Sequence, residues 1–173
     1  MERVAENVKR VRETIRAAAG RCGRAPGSIR LVAVTKTVEI GRIRAALAAG
    51  IEEIGENYLQ EALPKLAELR GHAVIRHFIG HLQRNKAKHV TRFHRVHSID
   101  SGRLADAVND VGRENARPID VLVQVNVVGE ATKGGYALET LRPESERLHT
   151  LRGLCVRGVM TMAPFDADES TLR

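Results

Sequence analysis

The sequence predicts an α/β fold of parallel strands joined by crossover helices, on the plan of a (β/α)8 TIM-type barrel. Three observations predict it. Short β-rich runs alternate with helical stretches along the chain, an order that calls for parallel strands and crossover helices. The first five runs start roughly 20–25 residues apart, the repeat of a strand–helix unit. The first run is followed by "TKTVEIG", which holds neither Gly-x-Gly-x-x-Gly nor Gly-x-x-x-x-Gly-Lys, and this disfavours a doubly wound nucleotide fold. Six strands can be read in the 173 residues, whereas a TIM-type barrel closes with eight.

The elements follow in order. Residues 1–20 read as an amphipathic helix with Val4, Val8, Val11 and Ile15 at helical spacing and Gly20 as the expected C-cap. Candidate strands are "LVAVT" (31–35), "EEIGE" (52–56), "HFIG" (77–80), "RVHSI" (95–99), "DVLVQVNV" (120–127) and "VRGVMTM" (156–162). Between them, "IGRIRAALAAG" carries Ile40, Ile43 and Leu47 on one face. "NYLQEALPKLAELRG" carries Leu59, Leu63, Leu66 and Leu69, with Pro64 expected to kink or shorten the helix. "SGRLADAVNDVGREN" has Ser101 as the expected N-cap, and "ETLRPESERLHT" is expected to turn helical near Pro143. If Val32 and Val34 form the core face of the first strand, Lys36 shares that face and points inward at the strand's end.

Composition narrows the function classes. At 43% hydrophobic and 28% charged residues, the chain is neither disordered nor membrane-bound. Cys22 and Cys155 match no zinc or redox spacing, and a cytoplasmic protein with two free thiols accounts for them. The net charge of +7 raises nucleic acid as a partner, but there is no Trp, and no aromatic residue interleaves the basic run "RNKAKH" (84–89). A solvated basic helix face is therefore expected, with no nucleic-acid site. His77 and His81 bracket a strand end without a His-Glu-x-x-His pattern, so no metal site is expected.

Functional groups of a parallel barrel gather at the C-terminal ends of its strands. Those ends supply Lys36, then "GEN" (55–57), "GHLQ" (80–83), "SIDS" (98–101), "QVN" (124–126) and "MTMAP" (160–164). A lysine among convergent polar groups is the makeup of a small-molecule site. An amine must be neutral to attack an aldehyde, and burial at a barrel mouth would favour that form.

The segments "AVTKT", "GENYLQEALPK", "HFIGHLQRNKAK", "VHSIDS", "LVQVNVVGEATKGGY" and "RGVMTMAP" together resemble the pyridoxal phosphate homeostasis protein family. That family is a single-domain relative of the N-terminal barrel of alanine racemase. The resemblance runs in order through about residues 30–165 and implies pyridoxal 5′-phosphate (PLP) as cofactor. It implies that Lys36 forms the Schiff base with PLP and that Asn57, His81, Met160 and Thr161 lie near it. Lys133 would match a family lysine near the pocket. The chain departs from the family in carrying Arg76 where an aromatic residue usually precedes "HFIGHLQ".

In the family, a serine- and glycine-rich segment and an arginine–glycine segment, which hold the phosphate and the pyridine nitrogen, lie beyond the point reached by residue 173. Residues 1–173 are therefore expected to form a single PLP-binding barrel domain, incomplete at its C-terminal end, that binds PLP weakly on its own. The function implied is PLP homeostasis, as a cytoplasmic carrier or buffer without catalysis. PLP-dependent apo-enzymes would be the partners, and the full-length protein a monomer. The alternative is a PLP-dependent amino-acid racemase. Racemisation needs a base on each face of the α-carbon, and no tyrosine follows Tyr136 to supply the second.

Overall fold

A computed structural model describes residues 2–127, 129 and 134–163. The elements run α1 (Glu2–Arg21), β1 (Val32–Val34), α2 (Ile40–Ala48), β2 (Glu53–Glu56), α3 (Leu59–Glu68), β3 (Ile75–Phe78), a 3-10 helix (Arg84–Arg92), β4 (Arg95–Ile99), α4 (Gly102–Glu114), β5 (Ile119–Gln124), α5 (Leu138–Thr150) and β6 (Leu154–Met160). The chain divides into two compact units, Met1–His77 and Phe78–Arg173.

In the first unit β1 and β2 pair in parallel, with Val32 opposite Glu53 and Val34 opposite Gly55. The amide of Ile75, at the start of β3, donates to the carbonyl of Glu52 at 2.9 Å. The helices bury Ile43, Leu59, Ala62, Leu66 and Leu69, the apolar stripes that helical spacing marks out. Two expectations need correction here. Gly20 lies inside α1, and the glycine with left-handed backbone is Gly23, at φ 65°. Lys36 does not point into a core: it lies exposed in a turn beyond β1, and Val34 is 52% exposed. Thr35, on the opposite face of the strand, is buried instead, with its hydroxyl donating to the buried Glu56.

The second unit is a parallel β4-β5-β6 sheet. Val96, Ile99, Val121 and Val123 fill its interior, and Phe78 meets Phe93 edge-on at 5.3 Å between ring centres. Val121 faces Val156 and Leu122 faces Gly158, which leaves Arg157 as an extra residue in β6. Gly158 takes φ 149° at this bulge, a conformation glycine adopts at least cost.

Strand and helix boundaries shift by a few residues. β3 spans 75–78 rather than 77–80, and β6 spans 154–160 rather than 156–162. α5 starts at Leu138, so Pro143 lies within it rather than in its first turn. α3 runs through Pro64 and is shorter than its apolar pattern. Ser101 stands at the N-cap of α4, but its hydroxyl donates to Asp100 at 3.2 Å instead of capping the helix.

Candidate functional site

Each unit presents polar groups at the C-terminal ends of its strands. In the first unit the chain leaves β1 through Thr35, whose amide donates to the carbonyl of Gly55 at 2.9 Å. The Thr35 hydroxyl donates to Glu56 Oε1 at 2.6 Å, and Glu56 is almost fully buried. Lys65 of α3 completes this cluster: its ammonium lies 3.2 and 3.3 Å from the Glu56 oxygens and 2.7 Å from the Thr35 carbonyl. A buried carboxylate is tolerated when it is paired and hydrogen-bonded in this way.

The turn at Lys36 rests on that cluster. Thr37 adopts φ 58°, a left-handed conformation that a β-branched residue avoids unless its surroundings impose it. Here the Thr37 amide donates to Glu61 Oε2 at 2.8 Å and its hydroxyl to the Lys36 carbonyl at 2.7 Å. The backbone is held while the Lys36 ammonium, among the described residues, makes no hydrogen bond or ion pair. Beyond β2, Asn57 follows Glu56, and its Oδ1 is buried with no hydrogen-bond partner. Such orphaned acceptors are rare and mark places that a ligand or water completes.

In the second unit His81 lies exposed after β3, and its Nδ1 is 3.0 Å from Asp100 Oδ2 at the end of β4. Asp100 therefore orients the imidazole through Nδ1. Ser98 is fully buried and donates to the Gly80 carbonyl at 2.5 Å. Gly134 packs on Asp100, since a Cβ there would lie 3.2 Å from Oδ2. Gln124 at the end of β5 donates to the Gly134 carbonyl at 2.7 Å. Met160 ends β6 half-buried and Thr161 follows it exposed. Lys133 lies outside the described residues.

Tyr136 is buried and donates to Glu144 Oε1 at 3.1 Å. Burial, with the Glu144 carboxylate beside it, pushes the phenol well above its ordinary range. Arg147 holds Glu144 below the usual carboxylate range through its guanidinium hydrogen bonds. Sequence reasoning did not find these partnerships. Its only pointers were acidic residues within a strand, at Glu53 and Glu56, and an aspartate at a strand end, Asp100. Among the described residues no group of three His, Cys, Asp or Glu could hold a metal, and no helix is long and apolar enough to cross a membrane.

Comparison with known proteins accounts for nearly the whole chain. The family model of the alanine racemase N-terminal domain matches residues 2–172. The pyridoxal phosphate homeostasis protein of Pseudomonas aeruginosa is 42% identical over 171 residues, covering 98% of this chain and 74% of that protein. PipY of Synechococcus elongatus, whose structure has PLP bound, is 33% identical with a TM-score of 0.78, covering 91% of this chain and 74% of PipY. The crystal structure of an unknown protein from Bifidobacterium adolescentis gives a TM-score of 0.86 at 33% identity, over 97% of this chain and 72% of that one. By these matches the chain belongs to the pyridoxal phosphate homeostasis protein family, with the strand–helix barrel fold of the alanine racemase N-terminal domain.

Proposed function

We propose that the protein binds PLP covalently through Lys36 and serves PLP homeostasis as a carrier or buffer, with no turnover of its own. The observation that carries this reading is the likeness to PipY, which holds PLP in its structure. The residues present fit the cofactor. An unpaired ammonium on a fixed turn and an orphaned Asn57 acceptor are both groups left for a ligand. When bound, the cofactor supplies an aldehyde open to attachment by an amine.

Lys36 is the amine we assign to that role, in preference to Lys65. Lys65 is the more buried of the two, but its protons are taken by Glu56 and Thr35, and a paired ammonium is a poor nucleophile. Lys36 has no such pairing among the described residues. In the same proposal Asn57, whose buried Oδ1 has no partner, is a cofactor-binding residue of the first unit, and His81, Met160 and Thr161 are those proposed from the second. Tyr136 is unsuited to act as the second base of a racemase, since its proton is engaged by Glu144 and held tightly. The recipients we propose are PLP-dependent apo-enzymes.

Borohydride reduction of PLP-loaded protein followed by peptide mass mapping tests the assignment. A reduced adduct on Lys36 is expected. An adduct on Lys65, Lys86 or Lys133 with Lys36 unmodified overturns it.

A further inference from the structure

We propose that Glu61 is a positioning residue for the Lys36 amine, acting through the Thr37 amide. This role rests on the assignment of PLP attachment to Lys36, and all of its parts lie within the first unit.

Lys36 sits in a β-turn. The Val38 amide donates to the Thr35 carbonyl at 3.1 Å, which makes Lys36 the second residue of the turn and Thr37 the third. Thr37 has φ 58°. A positive φ at the third position belongs to turns that take Gly or Asn there, and a β-branched residue reaches it only at a cost. Glycine would form the same turn without that cost, but would leave it free to form others. Threonine gives one fixed geometry only where something outside the turn holds it.

Glu61 is that outside hold. It comes from α3, 24 positions along the chain, and its Oε2 accepts the Thr37 amide at 2.8 Å. The Lys65 ammonium stands 3.6 Å from the same oxygen and donates to the Thr35 carbonyl at 2.7 Å. Two neighbouring side chains of α3 thus grip the backbone on both sides of Lys36. Lys65 is also committed to the buried Glu56. Glu61 is partly exposed, and among the described residues its carboxylate's only hydrogen bond is the one to Thr37. Attachment would join the neutral Lys36 nitrogen to the aldehyde carbon, with the aldehyde oxygen leaving as water together with both amine hydrogens. Its equilibrium depends on where the turn places that nitrogen.

Equilibrium dialysis of the full chain against PLP, with borohydride trapping and peptide mapping of the adduct, tests the role. Glu61→Ala is expected to weaken retention at least about tenfold, with the adduct still on Lys36 and a melting temperature within about 3 °C of the parent's. Glu61→Gln, which keeps an acceptor for the Thr37 amide, should lose less. Thr37→Gly in the Glu61→Ala background should restore retention severalfold, because glycine takes the left-handed conformation unaided. A role for Glu61 in the stability of α3 alone predicts no such recovery. Retention unmoved by Glu61→Ala, or a loss that Thr37→Gly does not relieve, overturns the proposal while leaving the attachment site standing. An adduct absent from Lys36 in the parent overturns the attachment site and this role with it, and the peptide map tells the two failures apart.

Discussion

Glu53 stands at the head of β2 with its carboxylate claimed by Arg30 on one side and His77 on the other. Burial alone would raise its pKa, but the hydrogen bonds from Arg30 and His77 outweigh burial and hold it below the ordinary 4.5. A carboxyl with a depressed folded pKa adds stability that is complete above its unfolded value and is lost as pH falls through the folded one. Glu53→Gln should therefore lose roughly 1–3 kcal/mol at pH 7, and the gap to the parent should narrow below about pH 4.5. Urea unfolding at pH 7 and pH 3.5 measures both. A gap that widens in acid would contradict the sign. Lys36 was legible as a residue of interest because a lysine ending an apolar run is unusual. Its exposure was not, because periodicity tells which residues share a face but not which face is covered. The partner that buries Thr35 on the other face, Glu56 of β2, is 21 positions from it in sequence.

Between elements, α4 and the turn that leads into β6 meet closely. A Cβ on Gly112 would lie 2.0 Å from the Gly153 carbonyl oxygen, and one on Gly153 would lie 2.0 Å from that of Asn109. The Asn109 side chain then accepts the Gly153 amide at 2.8 Å, so helix and turn touch backbone to backbone. Gly112→Ala cannot be absorbed by a side-chain rotation, and a loss of about 3 kcal/mol or more is expected from overpacking against a rigid neighbour. Chemical denaturation checks it, with Gly41→Ala in α2, where a Cβ meets nothing within 4 Å, as the tolerated control. Helix and strand types were legible from spacing, and β4 was placed to the residue. Their ends were not, because ends depend on tertiary partners: Ser101 spends its hydroxyl on Asp100 rather than on a cap, and α5 gains its first turn ahead of a proline that local rules would place at the start.

For the whole chain, the strand–helix alternation and the strand-end motifs were enough to indicate both class and family, and the match over residues 2–172 agrees. Hydrogen-bond partnerships such as His81–Asp100 and Tyr136–Glu144 escaped, since nothing in a one-dimensional pattern says which polar strand end faces which. At this scale we predict that PLP-loaded protein does not exchange the α-hydrogen of L-alanine in D₂O. Exchange seen in the parent and lost in Lys36→Ala would establish catalysis instead.

Pro64 has a consequence on the time axis. Lacking an amide hydrogen, it leaves the Gln60 carbonyl without its helical donor, so the first turn of α3 is tied to the rest by one bond fewer. That turn carries Glu61, the clamp on Thr37. Local opening is cheapest where such bonds are missing. Amide deuteration should therefore be faster at Thr37 and Ala62 than at Leu66 and Leu69 farther along the same helix. The seat of Lys36 would then breathe while the packed end of α3 stays shut, and release of the cofactor we propose there would proceed without unfolding its holder.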